Sequence, residues 1–125
     1  TDTLVSLAKS MGFGTIKYCT QQKHDRMIAY TSQIPHVLAC AYVMSPRCDE
    51  HSGFSAGSYR DVSRVARINA GLWADLFLAN REELADETEE LVRNIERIRD
   101  AVAKNDRAEL VALLSSAREK KEKFG

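Results

Sequence analysis

Apolar residues recur at helical spacing along most of the chain, and this pattern predicts an all-α fold. A first long helix is predicted from Gln21 to about Met44, where Ser45-Pro46 ends it. A short apolar helix over 70–80 carries the sole tryptophan, Trp73. A long amphipathic helix of coiled-coil character is then predicted over 81–104.

The C-terminal helices present more apolar surface than one copy of the chain is expected to cover. Leu84, Leu91 and Ile98 follow one another at a spacing of seven residues, as in a coiled coil. Asn105-Asp106 separates this helix from a last one, which we expect to give way to a solvated tail rich in Lys and Glu. The pattern therefore predicts a homodimer with interlocked helices.

A proline interrupts the first long helix at its most polar point. Helical spacing places Ser32 and His36 on one face, with Pro35 beside them. Proline has no N–H and its ring crowds the carbonyl of Thr31, so we expect a bend and a freed carbonyl there. These features suit a ligand pocket, although a hydrogen-bonded core histidine in a bent helix explains the same residues equally well.

A polar connection over 45–57 leads to a short basic helix predicted over 58–67. We expect Ser58 to cap this helix and Asp61 to lie in its first turn. Three arginines share one face of it and repel one another, so the pattern indicates an anion opposite them, either a protein carboxylate such as Asp61 or Asp75 or a carboxylate ligand. A solvated face is the alternative. The arginines are Arg60, Arg64 and Arg67.

The first twenty residues differ from the rest. They predict a helix over 2–11 and a strand over 14–20, and no later stretch of the sequence offers a strand to pair with it. A helix followed by a strand is typical of the end of an α/β domain. We therefore expect residues 1–20 to be the remnant of an upstream domain and residues 21–125 to form the helical domain.

Composition limits the classes of function. The 125 residues suffice for one core, and the equal numbers of basic and acidic residues, 18 each, argue against a nucleic-acid-binding protein. Three cysteines without a C-x-x-C pair fit a reducing cytoplasm. No apolar run approaches the roughly 18 residues of a membrane span, and none resembles a signal peptide.

The residues alone also allow two alternative hypotheses to a substrate pocket, namely a non-catalytic helical dimer and a small metal-binding module. The spacing of the metal module's candidate ligands matches no compact zinc framework, so we predict no metal site. The candidate ligands are His36, Cys40, Cys48 and His51.

Four motifs, in order, resemble the C-terminal half of the prephenate dehydrogenase family, which reads approximately HD, S-H/Q-L-P-H, G-G-G-F-R-D-x-T-R-I-A and W-x-D-I-x-x-N. The corresponding segments are His24-Asp25, SQIPHVLA over 32–39, AGSYRDVSRVA over 56–66 and LWADLFLAN over 72–80. This sequence departs from the family pattern at Gln33, where histidine is commoner, at Ser55 and Ala56, which replace glycines, and at Tyr59, which replaces phenylalanine.

The resemblance implies an all-α dimerisation domain similar to the C-terminal domain of 6-phosphogluconate dehydrogenase-like proteins, preceded by a Rossmann domain. The family oxidatively decarboxylates prephenate to 4-hydroxyphenylpyruvate in tyrosine biosynthesis and passes the hydride to NAD or NADP. Its cofactor fingerprint and catalytic histidine belong upstream, so this chain alone is expected to be inactive and to bind no cofactor. Arogenate is the alternative substrate, and tyrosine is a feedback inhibitor in many members.

The resemblance also implies roles for individual residues. Arg64 should bind a prephenate carboxylate and His36 should hydrogen-bond the substrate. The other implied substrate-binding residues are Ser32 and Gly57, and the implied supporting residues are Asp61, Trp73, His24 and Gln33.

Overall fold

The computed structural model describes residues 20–54 and 56–125, and within them every regular element is helical. The helix predicted over 2–11 lies outside these residues, as does the strand predicted over 14–20 apart from Thr20. The described elements are α1 (Gln21–Ile28), a π-helical turn (Ala29–Gln33), α2 (Ile34–Val43), a 3₁₀ helix (Pro46–Glu50), α3 (Gly57–Ser63), a 3₁₀ helix (Arg64–Ala66), α4 (Ala70–Ala79), α5 (Arg81–Ala103) and α6 (Arg107–Phe124).

The predicted long helix is present, but a π-helical turn divides it. Thr20 caps α1, because its hydroxyl oxygen accepts a hydrogen bond from the backbone N–H of Lys23 at 3.1 Å. In the π-helical turn, the N–H of Ile34 donates to the carbonyl of Ala29. Pro35 follows directly in the first turn of α2, where a missing N–H costs little. The expected bend therefore takes the form of a widened turn just before the proline.

The basic helix differs from its prediction in two details. It begins at Gly57, and Ala56 occupies the N-cap position without a side-chain hydrogen bond, so the prediction that Ser58 caps the helix is wrong. Asp61 accordingly lies beyond the first turn, and that prediction is wrong as well. The helix tightens into the 3₁₀ turn at Arg64. The predicted connection before it contains the 3₁₀ helix Pro46–Glu50.

The C-terminal helices match the prediction closely, except at the end. Asp106 caps α6, and its carboxylate accepts a hydrogen bond from the N–H of Glu109 at 3.1 Å. The segment that was predicted to be a solvated tail is the last part of α6, which continues to Phe124. Its Lys and Glu residues favour helix and are exposed, so solvation and helix formation do not conflict.

The chain forms two compact units, residues up to 88 and residues 89–125. In the first unit, α2 packs against α3 and both 3₁₀ helices, and the buried side chains include Ala29, Ile34, Ala39 and Leu84. In the second unit Ala101 is buried, whereas large apolar side chains on both helices are exposed. These exposed side chains are Val92, Ile95, Ile98, Val102, Val111, Leu114 and Phe124. No described helix has the length and apolar character to cross a lipid bilayer.

Candidate functional site

The first part of the candidate site is an imidazole fixed from two directions. The ring of His36 stacks on Trp73, with the ring centroids 3.9 Å apart and an interplanar angle of 23°. Its Nδ1 atom lies 3.0 Å from the backbone carbonyl oxygen of Ser32, one turn earlier. A carbonyl only accepts hydrogen bonds, so Nδ1 carries the proton and Nε2 of the neutral ring is an acceptor. Nε2 is therefore the ring atom available to a ligand.

Ser32 contributes to this arrangement through its backbone. Its hydroxyl is exposed and lies 3.5 Å from the hydroxyl of Thr31, which itself donates to the carbonyl of Met27 at 2.7 Å. Side chains thus supplement the backbone hydrogen bonds around the π-helical turn. π-Helical turns inside α-helices occur frequently at functional sites.

Gln33, the last residue of the π-helical turn, is buried and hydrogen-bonds the C-terminal end of α4. Its Nε2 donates to the carbonyl of Leu76 at 3.2 Å, and its Oε1 accepts from Nδ2 of Asn80 at 3.1 Å. The same Asn80 Nδ2 donates to the carbonyl of Asp25 at 2.9 Å. These bonds join α1 and the π-helical turn to the C-terminal end of α4, which carries Trp73. Gln33 therefore positions the His36–Trp73 pair through the fold.

His24 lies on α1 beside this junction. Its Nδ1 is 3.5 Å from a carboxylate oxygen of Asp25 and forms no hydrogen bond with the described residues. Asp25 in turn accepts a hydrogen bond from Gln21 at 2.9 Å. His24 is therefore next to the Asp25 carbonyl, which Asn80 hydrogen-bonds where α1 meets the end of α4.

The second part of the site is a cleft of about 790 Å³ that contains three arginines. Within residues 20–54 and 56–125, none of the three forms an ion pair with a carboxylate, Asp61 included. The sequence predicts an anion opposite them, and the described part of the chain does not supply a contacting one. We call this the arginine cleft; it is lined by Val43, His51, Tyr59, Arg60, Asp61, Ser63, Arg64, Ala66 and Arg67.

The two parts share α2. His36 lies near its N-terminal end, and Val43, its last residue, lines the arginine cleft. α2 also packs against the 3₁₀ helix that begins at Arg64. His36 and Trp73 do not line the cleft, so the structure places the predicted residues in two neighbouring groups joined by one helix.

Gly57, an implied substrate-binding residue, is not enclosed by other parts of the described chain. It is the first residue of α3, and a Cβ added there would meet nothing within 4 Å. Packing within the described chain therefore does not require glycine at this position.

A cluster around Tyr59 was not anticipated from the sequence. The Tyr59 hydroxyl lies 3.4 Å from the sulfur of Cys48, and its ring packs against those of His51 and Tyr42 at centroid distances of 4.4 and 5.7 Å. The hydrogen bond with Cys48, followed by burial, raises the pKa of Tyr59 above its ordinary value. The departure from phenylalanine in the family motif was the sequence signal for this contact.

The metal-binding alternative required His36, Cys40, Cys48 and His51 to converge. In the described part of the chain, no three His, Cys, Asp or Glu side chains are grouped so that they could hold a metal ion. Cys48 instead contacts Tyr59, and His36 stacks on Trp73. The structure gives the metal alternative no support.

Dinucleotide-binding domains carry a glycine-rich turn at a helix N-terminus. The sequence contains no G-x-G-x-x-G, the motif that brings a helix N-terminus to a pyrophosphate. The N-termini of α1, α4 and α6 are occupied by their own capping side chains, Thr20, Asn69 and Asp106. These three N-termini are therefore not open to a pyrophosphate.

Comparison with known proteins agrees with the motifs. The family profile described as "Prephenate dehydrogenase, dimerization domain" matches residues 20–116. The chain is 28% identical over 103 residues to the prephenate dehydrogenase of Bacillus subtilis (strain 168), which covers 78% of this chain and 28% of that protein. It is 32% identical over 99 residues to the cyclohexadienyl dehydrogenase of Zymomonas mobilis, which covers 74% of this chain and 34% of that protein.

The fold agrees as well. The crystal structure of Synechocystis arogenate dehydrogenase superposes with a TM-score of 0.82 at 21% identity, covering 99% of this chain and 47% of that one. The chain thus spans about a third or less of the length of the curated relatives above. On the evidence of the profile, the relatives and the all-α fold, this chain belongs to the prephenate dehydrogenase family and corresponds to its dimerization domain.

Proposed function

We propose that this chain is the substrate-binding and dimerisation domain of an enzyme that oxidatively decarboxylates prephenate to 4-hydroxyphenylpyruvate with NAD or NADP. Residues 1–20 are the end of the nucleotide-binding domain, and residues 21–125 are the helical domain. The names of the relatives and the family profile support this assignment. Hydride transfer and the catalytic histidine belong to the nucleotide-binding domain, so the chain alone has no dehydrogenase activity.

The observation that carries the proposal is the unpaired guanidinium of Arg64. It lies in the family motif, lines the arginine cleft and forms no ion pair with the described carboxylates. A guanidinium presents a planar fork of N–H donors that matches a carboxylate, and this pairing is stronger and more directional than that of an ammonium. Arg64 therefore binds one carboxylate of prephenate.

His36 has a different role in the proposal. Because its Nδ1–H faces the Ser32 carbonyl, its Nε2 accepts a hydrogen bond from a substrate hydroxyl when the ring is neutral. Stacking on Trp73 fixes the plane of the ring, so this acceptor has one direction. His36 thus orients the substrate that Arg64 anchors. Ser32 and Gly57 are the other substrate-binding residues of the proposal, and Gln33 and Asp61 support them.

Arogenate is a second candidate substrate. It carries an amino group where prephenate carries a keto group, and the Zymomonas relative and the Synechocystis structure are named for cyclohexadienyl and arogenate dehydrogenases. The ratio of kcat/KM for the two compounds in the intact enzyme distinguishes them. Inhibition by tyrosine, which would compete for Arg64 and His36, is measured in the same assay.

The test of the proposal is Arg64→Ala in the intact enzyme. Loss of a charged partner to a bound carboxylate should lower kcat/KM for prephenate, which corresponds to a loss of about 2–4 kcal/mol of transition-state stabilisation. The KM for the nucleotide should be unchanged. Arg81→Ala is the matched control, because Arg81 is also exposed and forms no ion pair with the described residues. Prephenate kinetics equal to those of the control would refute the role of Arg64.

A further inference from the structure

The arginine cleft carries more positive charge than one carboxylate requires. Three guanidinium groups and the carboxylate of Asp61 leave an excess of two positive charges when His51 is neutral. One monocarboxylate on Arg64 would leave one of these charges uncompensated. A ligand with two carboxylates matches the excess.

Backbone geometry singles out Arg67 as the partner of Arg64. Residues Arg64–Ala66 form a 3₁₀ helix, and Arg67 is the residue that ends it. In a 3₁₀ helix, side chains three residues apart are eclipsed, and the rise over three residues is about 6 Å. Arg64 and Arg67 therefore leave the backbone on the same side, one directly above the other. Arg60 lies one turn earlier, on α3, where side chains four residues apart are not eclipsed.

Arg67 also lacks a protein partner. Other arginines of the described chain, such as Arg26, Arg47 and Arg93, have carboxylate partners at 2.7–3.0 Å. In the segments 20–54 and 56–125, neither Arg64 nor Arg67 has one. Two eclipsed cations without a counter-ion repel each other, and an anion that contacts both removes the repulsion.

We propose that Arg67, which lies just beyond the family motif, binds the second carboxylate of a dicarboxylate whose first carboxylate is bound by Arg64. This inference rests on the proposed function. Its consequence is discrimination by charge: oxidative decarboxylation removes one of the two carboxylates as CO₂, so the monocarboxylate product engages one of the two arginines and not both. The cleft therefore binds substrate more tightly than product, which favours product release.

The experiment measures binding of prephenate and of 4-hydroxyphenylpyruvate to the full 125-residue chain by isothermal titration calorimetry at neutral pH. The unchanged chain should bind prephenate more tightly than 4-hydroxyphenylpyruvate, and Arg67→Gln should weaken prephenate binding about tenfold, the usual scale for one charge-assisted hydrogen bond. Arg67→Lys should recover most of the lost affinity, because the charge is restored. Arg81→Gln removes the same charge elsewhere and should affect both compounds less than twofold. Circular dichroism confirms that each variant is helical.

The outcomes separate this inference from the proposed function. If Arg64→Gln abolishes prephenate binding and Arg67→Gln matches Arg81→Gln, the assignment of Arg67 is wrong and the proposed function stands. Equal affinities of the unchanged chain for the two compounds would also refute the inference, because discrimination by charge count would be absent. If the unchanged chain binds neither compound, or if Arg64→Gln has no effect, the substrate site proposed above is itself wrong.

Discussion

Asn80 joins three elements of the first unit through one amide nitrogen, and its replacement by alanine is a direct test of the packing that places Trp73 near His36. Nδ2 of Asn80 donates to the carbonyl of Asp25 at 2.9 Å and to Oε1 of Gln33 at 3.1 Å. Asn80→Ala removes both donors. Asn80 has a φ of −121° and a ψ of 33°, and alanine can adopt this negative φ, so the substitution does not force the backbone between α4 and α5 to change.

The magnitude follows from the burial of the acceptor. Each hydrogen bond contributes about 1 kcal/mol net to stability. Gln33 is only 6% exposed, so water cannot readily replace the donor that its Oε1 loses. An unsatisfied buried acceptor costs about 1–3 kcal/mol. We therefore expect Asn80→Ala to lower the free energy of unfolding by about 2–4 kcal/mol.

The assay is urea unfolding followed by circular dichroism at matched protein concentration, since dimerisation makes stability concentration-dependent. Gln22→Ala is the control, because it removes an amide from an exposed helical position and should change stability by less than about 0.5 kcal/mol. Gln33→Leu combined with Asn80→Ala should cost less than the sum of the single changes by about 1 kcal/mol. A loss for Asn80→Ala no larger than that of the control would refute the reasoning.

Two further predictions follow from the described contacts. Tyr59→Phe should remove a phenol whose pKa is raised above its ordinary value, which an absorbance titration at 295 nm detects. Because folding raises this pKa, the stabilising contribution of Tyr59 is present below the unfolded pKa and is lost as the pH rises through the folded pKa. Tyr59→Phe should therefore make alkaline unfolding less steep, and an unchanged titration curve would contradict the assignment. Sedimentation of the chain should show a dimer, and Ile95→Glu, which places a charge on the exposed apolar stripe, should give a monomer; a monomeric unchanged chain would contradict the dimer.

Periodicity in the sequence was sufficient to locate most of the helices. The predicted helix over 81–104 is found as Arg81–Ala103, and the one over 70–80 as Ala70–Ala79. Both have clear boundaries in sequence, an asparagine N-cap for α4 and the Asn105-Asp106 break after α5. Asn105 adopts a positive φ of 54°, which asparagine tolerates better than most residues. Local chemistry therefore determined these ends.

The details that could not be predicted depend on contacts between distant parts of the chain. Gln33 and Asn80 are 47 residues apart, and nothing in either neighbourhood shows that their amides meet. Ser58 has the better N-cap side chain, yet Ala56 occupies the N-cap position two residues earlier, so capping preference did not decide the boundary. The placement of Arg64 and His36 in two groups likewise follows from how α2 packs against the 3₁₀ turn, which periodicity does not encode.

The π-helical turn explains why helical spacing predicts which residues share a face within α1 or within α2, but not which faces of the two helices align. A π-helical turn bonds residue i to i+5, so it holds one residue more than an α-helical turn, and faces assigned on α1 are shifted by one residue on α2. The shift places Gln33 in the interior and leaves the Ser32 hydroxyl exposed, although Ser32 has the smaller side chain. Pairs four residues apart are still neighbours, which is why His36 reaches the Ser32 carbonyl. Pro35 lowers the free-energy cost of this arrangement. It lies in the first turn of α2, one residue after Ile34, and has no N–H that must find a hydrogen-bond partner. The proline and the widened turn therefore act together to bury Gln33 and direct His36 towards Trp73.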